Sequence, residues 1–418
     1  MSQPSGGTSG RRPHFRGFDG LRAIAAGTVL VHHAANLAGS DHRTSIGAYF
    51  DHMDIGVAIF FLISGFLLYR PFVWSHLAGD PSPGLGRYFR HRALRIFPAY
   101  WVALTVIVVV FGAAALQIRN VWDAFVYYGL FQIYSPAHLW GGVAQAWSLC
   151  TELSFYAFLP LYALLVRRLA RGGDDWRVLG VEIAGLATMY WASVAFRVWE
   201  FHAFPAHPET LRWLPANLDY FALGMGLAVA SSWSALRADR RSAGRGAGWA
   251  SAASWALAGV CFWLVASRYS VSRGVLPGLG VGLATQALYG AAALFLLLPA
   301  VFAPGDHGVV QRLLSSRPMA YAGKVSYGVY LWHVFVLLLW YDATGTLFFS
   351  GGLTRLLLTG AVGAMLLASV SWFAVERPAL NLARRIDRDA ARRRPPAVPP
   401  TLDAPGAGSR LLDRAPTG

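Results

Sequence analysis

The chain of 418 residues is 55% hydrophobic and 14% charged, with a mean hydropathy of +0.42, where a soluble domain carries roughly 25% charged residues. That balance excludes a soluble globular protein. The net charge of +15 falls in short Lys/Arg clusters between apolar stretches, which argues for the loops of a membrane protein and against a nucleic-acid partner.

In chain order, residues 1–13 are Ser/Gly/Arg-rich and expected to be disordered. Ten apolar segments follow, at about 18–38, 55–74, 96–116, 143–168, 179–199, 213–232, 250–267, 279–303, 320–341 and 353–376, each near the roughly 20 residues that a bilayer requires. The expected fold is therefore an all-α polytopic membrane protein with about ten transmembrane helices. Its membrane domain covers 14–385, and a Pro/Arg-rich tail over 386–418 (RRRPPAVPP) is expected to lack a packed core. The first segment is too long and too polar for a cleavable signal peptide. Arg11, Arg12 and Arg16 precede it, Arg87, Arg90, Arg92 and Arg95 separate the second and third, and the same clustering recurs in every other loop. The positive-inside rule then places both termini in the cytoplasm. Cys150 and Cys261 are too few for a disulfide framework or a thiolate metal site. No internal repeat is visible, which disfavours transporter folds built from repeated halves.

The first segment, DGLRAIAAGTVLVHH, carries four ionisable residues. Arg22 and His33 are eleven apart, about 20° past three full turns, so they share one face some 16 Å apart along the axis. Asp19 sits three residues before Arg22, a spacing that allows pairing. The structural alternatives are an interfacial ion pair for Asp19–Arg22 and a packing role for the histidines. Ionisable groups at this depth are costly and face a cavity or a partner, which favours function. Glu152 comes about nine residues into the fourth segment, and His333 nine residues after Lys324 in the ninth. Counting rise per residue brings His33, Glu152 and His333 to one level. There a carboxylate beside imidazoles would orient a tautomer for general acid–base catalysis. Three ligands from distant helices are a weak metal signal, and no metal is expected.

In RYFRHRALRIFPAY, Arg92 and Arg95 are three apart and share a helix face, and Arg70 at the inner end of the second segment is expected to join them on the side of Arg22. Arginine suits bidentate phosphate binding, so a phosphate-rich cytosolic ligand is one reading and plain positive-inside charge the other. In GVAIFFLISGFLLYRP, Ser64-Gly65 suits a close approach of helices.

Together these stretches resemble acyltransferase family 3, integral-membrane acyltransferases that O-acetylate bacterial surface sugars, over about residues 16–380. FDGLRAIAAGTVLVHH, FFLISGFLL, RALRIFPAYW, WSLCTELSFY, SYGVYLWH and VERPAL match its motifs in order, with Ser154 where Gln is common. The resemblance implies a bacterial inner-membrane enzyme with no bound cofactor. It implies acyl-CoA, first of all acetyl-CoA, as donor, and a hydroxyl of a sugar, lipid-linked glycan or macrolide-type molecule as acceptor. It makes His33 the essential histidine and Arg92 and Arg95 donor contacts. Many members carry an extracytoplasmic hydrolase-like domain after the membrane part, and only the short tail stands there in this sequence, so that second site is not expected. The rival class is a transporter or flippase using intramembrane His and Glu for protons or substrate.

Overall fold

The computed structural model describes residues 15, 17–40, 46–204, 208–237, 247–269, 277–303 and 308–392. Among the described residues, ten long helices answer the ten expected segments: α1 (Gly17–Ala38), α2 (Gly56–Ala78), α3 (Leu85–Phe111), α4 (Trp147–Leu169), α5 (Asp175–Ala203), α6 (Leu218–Arg237), α7 (Ala247–Arg268), α8 (Leu279–Phe302), α9 (Arg317–Thr344) and α10 (Leu353–Ser371). After a π turn at Trp372–Glu376 comes α11 (Arg377–Arg392). Among the described residues there is no strand, and the fold is an all-α polytopic membrane protein.

Eight of the ten helices are long and apolar enough to cross a membrane. The other two, α1 and α6, carry Asp19, Arg22, His32 and His33 in one case and Asp219, Ser231, Ser232 and Ser234 in the other. Both are enclosed by protein: α1 packs on α2, α9 and α10, and α6 on α2 and α5. A helix whose polar face meets other helices need not satisfy lipid. Two glycines permit the closest approaches. A Cβ at Gly323 of α9 would lie 2.0 Å from the Asp19 carbonyl oxygen, and one at Gly224 of α6 would lie 2.1 Å from that of Leu62. Below Gly224, the rings of Phe61, Phe221 and Phe155 stack at centroid separations of 4.7 and 3.9 Å, joining α2, α6 and α4 into one core.

Two boundaries differ from expectation. The helix α3 begins at Leu85, so the arginine cluster is helix-borne rather than loop-borne. The helix α11 runs through residues 386–392, into the expected tail. One cause serves both: Asp387 of α11 accepts from Arg87 Nε at 2.9 Å, from His91 Nε2 at 2.6 Å and from Arg90, so each helix end is ordered by the other. The expected disordered residues 1–13, and the tail beyond 392, lie outside the described residues.

Candidate active site

His33 and His333 meet where α1 packs along α9. His333 Nε2 lies 3.3 Å from His33 Nδ1, with the ring planes at 67° and centroids 5.0 Å apart. Each Nδ1 also faces the carbonyl one turn back, Val29 at 2.9 Å for His33 and Val329 at 3.1 Å for His333. A carbonyl only accepts, so these partners assign the proton to Nδ1 in both rings. His33 Nδ1–H is then shared between Val29 O and the lone pair of His333 Nε2, which leaves His33 Nε2 with a free lone pair. That is the atom of a general base, with its tautomer fixed from behind. His333 is fully buried. His32 turns aside and donates Nδ1–H to Asp51 O at 2.7 Å, consistent with a packing neighbour.

Glu152 does not join the histidines. Its Oε1 accepts from Tyr156, one turn further along α4, at 2.6 Å, and from Ser64 of α2. It faces a cavity of about 190 Å³ whose walls include Arg22, Arg92, Arg95, Ser64, Tyr156 and Tyr330. Residue counting along a helix gives depth but not which neighbouring side chains will claim a carboxylate, and here two hydroxyls do so. Arg22 keeps Asp19 at 3.4 Å, the expected pair. Arg95 lies 4.0 Å from buried Glu376. Arg92 rests over the Tyr156 ring at 5.8 Å and has no carboxylate within ion-pair distance among the described residues. Three guanidiniums thus line one space, and the Arg92 charge is the least compensated.

Arg70 is placed elsewhere. Its guanidinium stacks over Phe15 at 5.1 Å and Trp74 at 5.8 Å and its Nε reaches Ser231. Six residues after Ser64, it is rotated about 240° round α2 from the face that lines the cavity.

Tyr330 separates the two groups. Its hydroxyl donates to Gln145 O at 2.6 Å and stands 2.8 Å from Ser148 Oγ, while its ring centroid is 5.9 Å from that of His333. The histidine pair therefore lies one helical turn beyond the cavity wall. Sequence reading passes over Tyr156, Ser148 and Tyr330, although two of them carry a signal: Tyr156 is four residues from Glu152 and Tyr330 three from His333, the spacings at which helix neighbours meet.

The sequence matches the acyltransferase domain of acyltransferase family 3 over residues 15–374. It is 26% identical over 395 residues to Nodulation protein 10 of Rhizobium leguminosarum bv. viciae, covering 88% of this chain and 94% of that one. It is 26% identical over 360 residues to the exopolysaccharide production protein ExoZ of Rhizobium meliloti, covering 85% and 96%. Against the peptidoglycan O-acetyltransferase OatA of Listeria monocytogenes the identity is 24% over 345 residues, covering 77% of this chain and 49% of the relative. No solved structure matches. With a family match across most of its length, this multi-pass membrane chain belongs to acyltransferase family 3 and is an acyltransferase.

Proposed function

We propose that the chain moves an acetyl group from cytosolic acetyl-CoA to a hydroxyl of a sugar or glycan. The observation that supports this most is the cavity of Arg22, Arg92, Arg95 and Glu152, whose wall at Tyr330 backs onto the His33–His333 pair. Guanidiniums there suit the phosphates of CoA, which present the planar oxyanions that arginine pairs with bidentately. The thioester arm then points along α9 past Tyr330. His33 Nε2 takes the proton of the acceptor hydroxyl as its oxygen attacks the thioester carbonyl. The new ester C–O bond forms, the C–S bond breaks, and the leaving thiolate recovers the proton from the imidazolium as the thiol of CoA. His333 accepts from Nδ1–H of His33 throughout and stabilises the imidazolium between those two transfers. Exclusion of water by the surrounding helices protects the thioester from hydrolysis.

In this reading the arginine end of the bundle and both termini face the cytoplasm of a bacterial inner membrane, the side on which acyl-CoA is made. The names of ExoZ and OatA concern an exopolysaccharide and peptidoglycan, which supports a carbohydrate acceptor here. The test is CoA release from acetyl-CoA by the purified full chain in detergent, beside His33→Ala. Release that disappears in the variant, with its fold intact, supports the donor and the base together. No release from folded wild-type protein with any acyl-CoA would overturn the donor.

A further inference from the structure

A second cavity, of about 280 Å³, lies at the N-terminal ends of α2 and α4. Asp54, Trp147, Arg197, Tyr220, Gln286 and Tyr289 are among its walls. Its other helices, α5, α6 and α8, contribute nothing to the arginine cavity, and nothing in the mechanism above uses it.

The polar groups of this cavity are held in place. Gln286 Nε2 donates to both oxygens of Asp219, at 3.0 and 2.9 Å, while its Oε1 accepts from Tyr220 at 2.8 Å. Tyr289 donates to Asp54 Oδ1 at 2.6 Å and accepts from His52 Nδ1 at 2.7 Å. Arg197 spends only Nε, on Ala216 O at 2.8 Å, and its two terminal nitrogens have no hydrogen-bond partner among the described residues. Fixed donors and acceptors between aromatic rings are the chemistry that recognises a sugar. The C–H face of a pyranose packs on a ring, and its hydroxyls require paired donors and acceptors at set directions.

The cavity wall is linked by contacts to His32, the neighbour of His33. Asp51 takes the Nδ1–H of His32 on its carbonyl at 2.7 Å, and the His32 and His33 rings meet edge to face at 5.1 Å. The next residue, His52, is only 9% exposed, and its Nε2 has no partner among the described residues. Two consecutive residues, Asp51 and His52, therefore span from His32 to Tyr289 on the cavity wall.

From this geometry we infer that the cavity is the acceptor site and holds a carbohydrate, with Arg197 and Asp54 hydrogen-bonding its hydroxyls and Trp147 and Tyr220 packing on its ring. The inference rests on the acyl-transfer reading above. It seats the acceptor against α5, α6 and α8 as well as the α2 and α4 that both cavities share, and the acylated hydroxyl has to extend past His32 to reach His33 Nε2.

Gly282 of α8 lines the cavity, and a Cβ built there meets nothing within 4 Å, so Gly282→Phe brings a ring to the cavity wall from a position open at its Cβ. Gly280, equally open but not on the cavity wall, supplies the control Gly280→Phe. The purified full chain is given acetyl-CoA and a panel of methyl glycosides of neutral hexoses and N-acetylhexosamines, and both CoA release and the acylated glycoside are measured. The expected result is that a glycoside is acylated. Gly282→Phe and, independently, Arg197→Gln then raise its KM tenfold or more, with the KM for acetyl-CoA within twofold of wild type and Gly280→Phe like wild type. Should Gly282→Phe fail to fold, Arg197→Gln carries the test alone. Unchanged glycoside KM in the folded variants overturns the site. His33-dependent CoA release with no glycoside acylated overturns the carbohydrate. Absence of any CoA release from wild type overturns the donor proposed above, and this site with it.

Discussion

His333 Nε2 stands 3.3 Å from His33 Nδ1, across three hundred residues of sequence. With the tautomer of His33 set by Val29 O, His333 Nε2 is a second acceptor for Nδ1–H, and in the proposed acyl transfer His333 acts through His33 as a positioning residue. His333→Ala is expected to lower kcat by about 10²–10⁴-fold, the range of general acid–base contributions, with little change in the KM for acetyl-CoA. The pH–rate profile should also change shape, because the remaining imidazole has lost the acceptor on its Nδ1–H. An equal loss in kcat/KM for donor and acceptor with an unmoved profile would indicate packing alone.

Arg92 has the least compensated charge on the arginine cavity, the donor site of the proposed reaction. Arg92→Ala is expected to raise the KM for acetyl-CoA by about 10–100-fold, equivalent to the roughly 1.5–3 kcal/mol of a hydrogen bond to a charged group. Acetyl-pantetheine, which lacks the nucleotide phosphates, should react equally well with variant and wild type. A parallel loss with both donors would remove Arg92 from phosphate binding. Arg92→Lys should restore only part of the affinity, since an ammonium lacks the planar fork.

The approach of α6 to α2 depends on the absence of a side chain at Gly224, where a Cβ would meet Leu62 O at 2.1 Å. Gly224→Ala is expected to destabilise the protein by about 1–3 kcal/mol, the cost of overpacking, seen as a lower unfolding temperature in detergent. Gly259→Ala on α7, where a Cβ meets nothing within 4 Å, should be neutral or stabilising by up to about 1 kcal/mol.

The connection between α3 and α4 is held by Asp123 in the short helix Val121–Tyr128. The ring of His138 at 3.0 Å and the backbone N–H of Arg119 at 2.8 Å keep its carboxyl below the usual range. A depressed carboxyl stabilises the fold fully above the unfolded value of about 3.9 and loses that contribution as pH falls through the lower folded value. Hydrogen exchange over residues 119–138 should therefore be slow at pH 6 and accelerate below about pH 4, beyond the intrinsic change in rate. In Asp123→Asn the extra acceleration should vanish, with protection already weaker at pH 6.

Much of this protein is legible in its residues because a bilayer restricts what a segment can be. The ten apolar runs correspond to ten helices among the described residues, and Arg92 and Arg95, read as sharing a helix face, both line the cavity that Arg22 also lines. The differences have a common origin. Depth alone sets Glu152 level with His33 and His333, and loop side alone sets Arg70 near Arg92. Azimuth decides contact in a bundle, and it depends on neighbours such as Ser64 and Tyr156 that no periodicity reveals. The polar group of Asp54, Asp219, Gln286 and Tyr289 escapes sequence reading for a related reason. Its members come from the turn before α2, from α6 and from α8, and only the packing of those elements brings them together.

The enclosure of α1 by α9 bears on how the chain is made. Synthesis delivers α1 first, yet the residues that cover its polar face, Gly323 against Asp19 and His333 against His33, emerge some three hundred residues later. At roughly 5–20 residues per second, α1 waits on the order of tens of seconds with His33 and the backbone at Asp19 not yet covered by α9. Over that interval it must be sheltered by the insertion machinery or by α2 alone. A nascent chain arrested before α9 is therefore expected to expose α1 as an unassembled helix and to be degraded, while one arrested after Thr344 retains it.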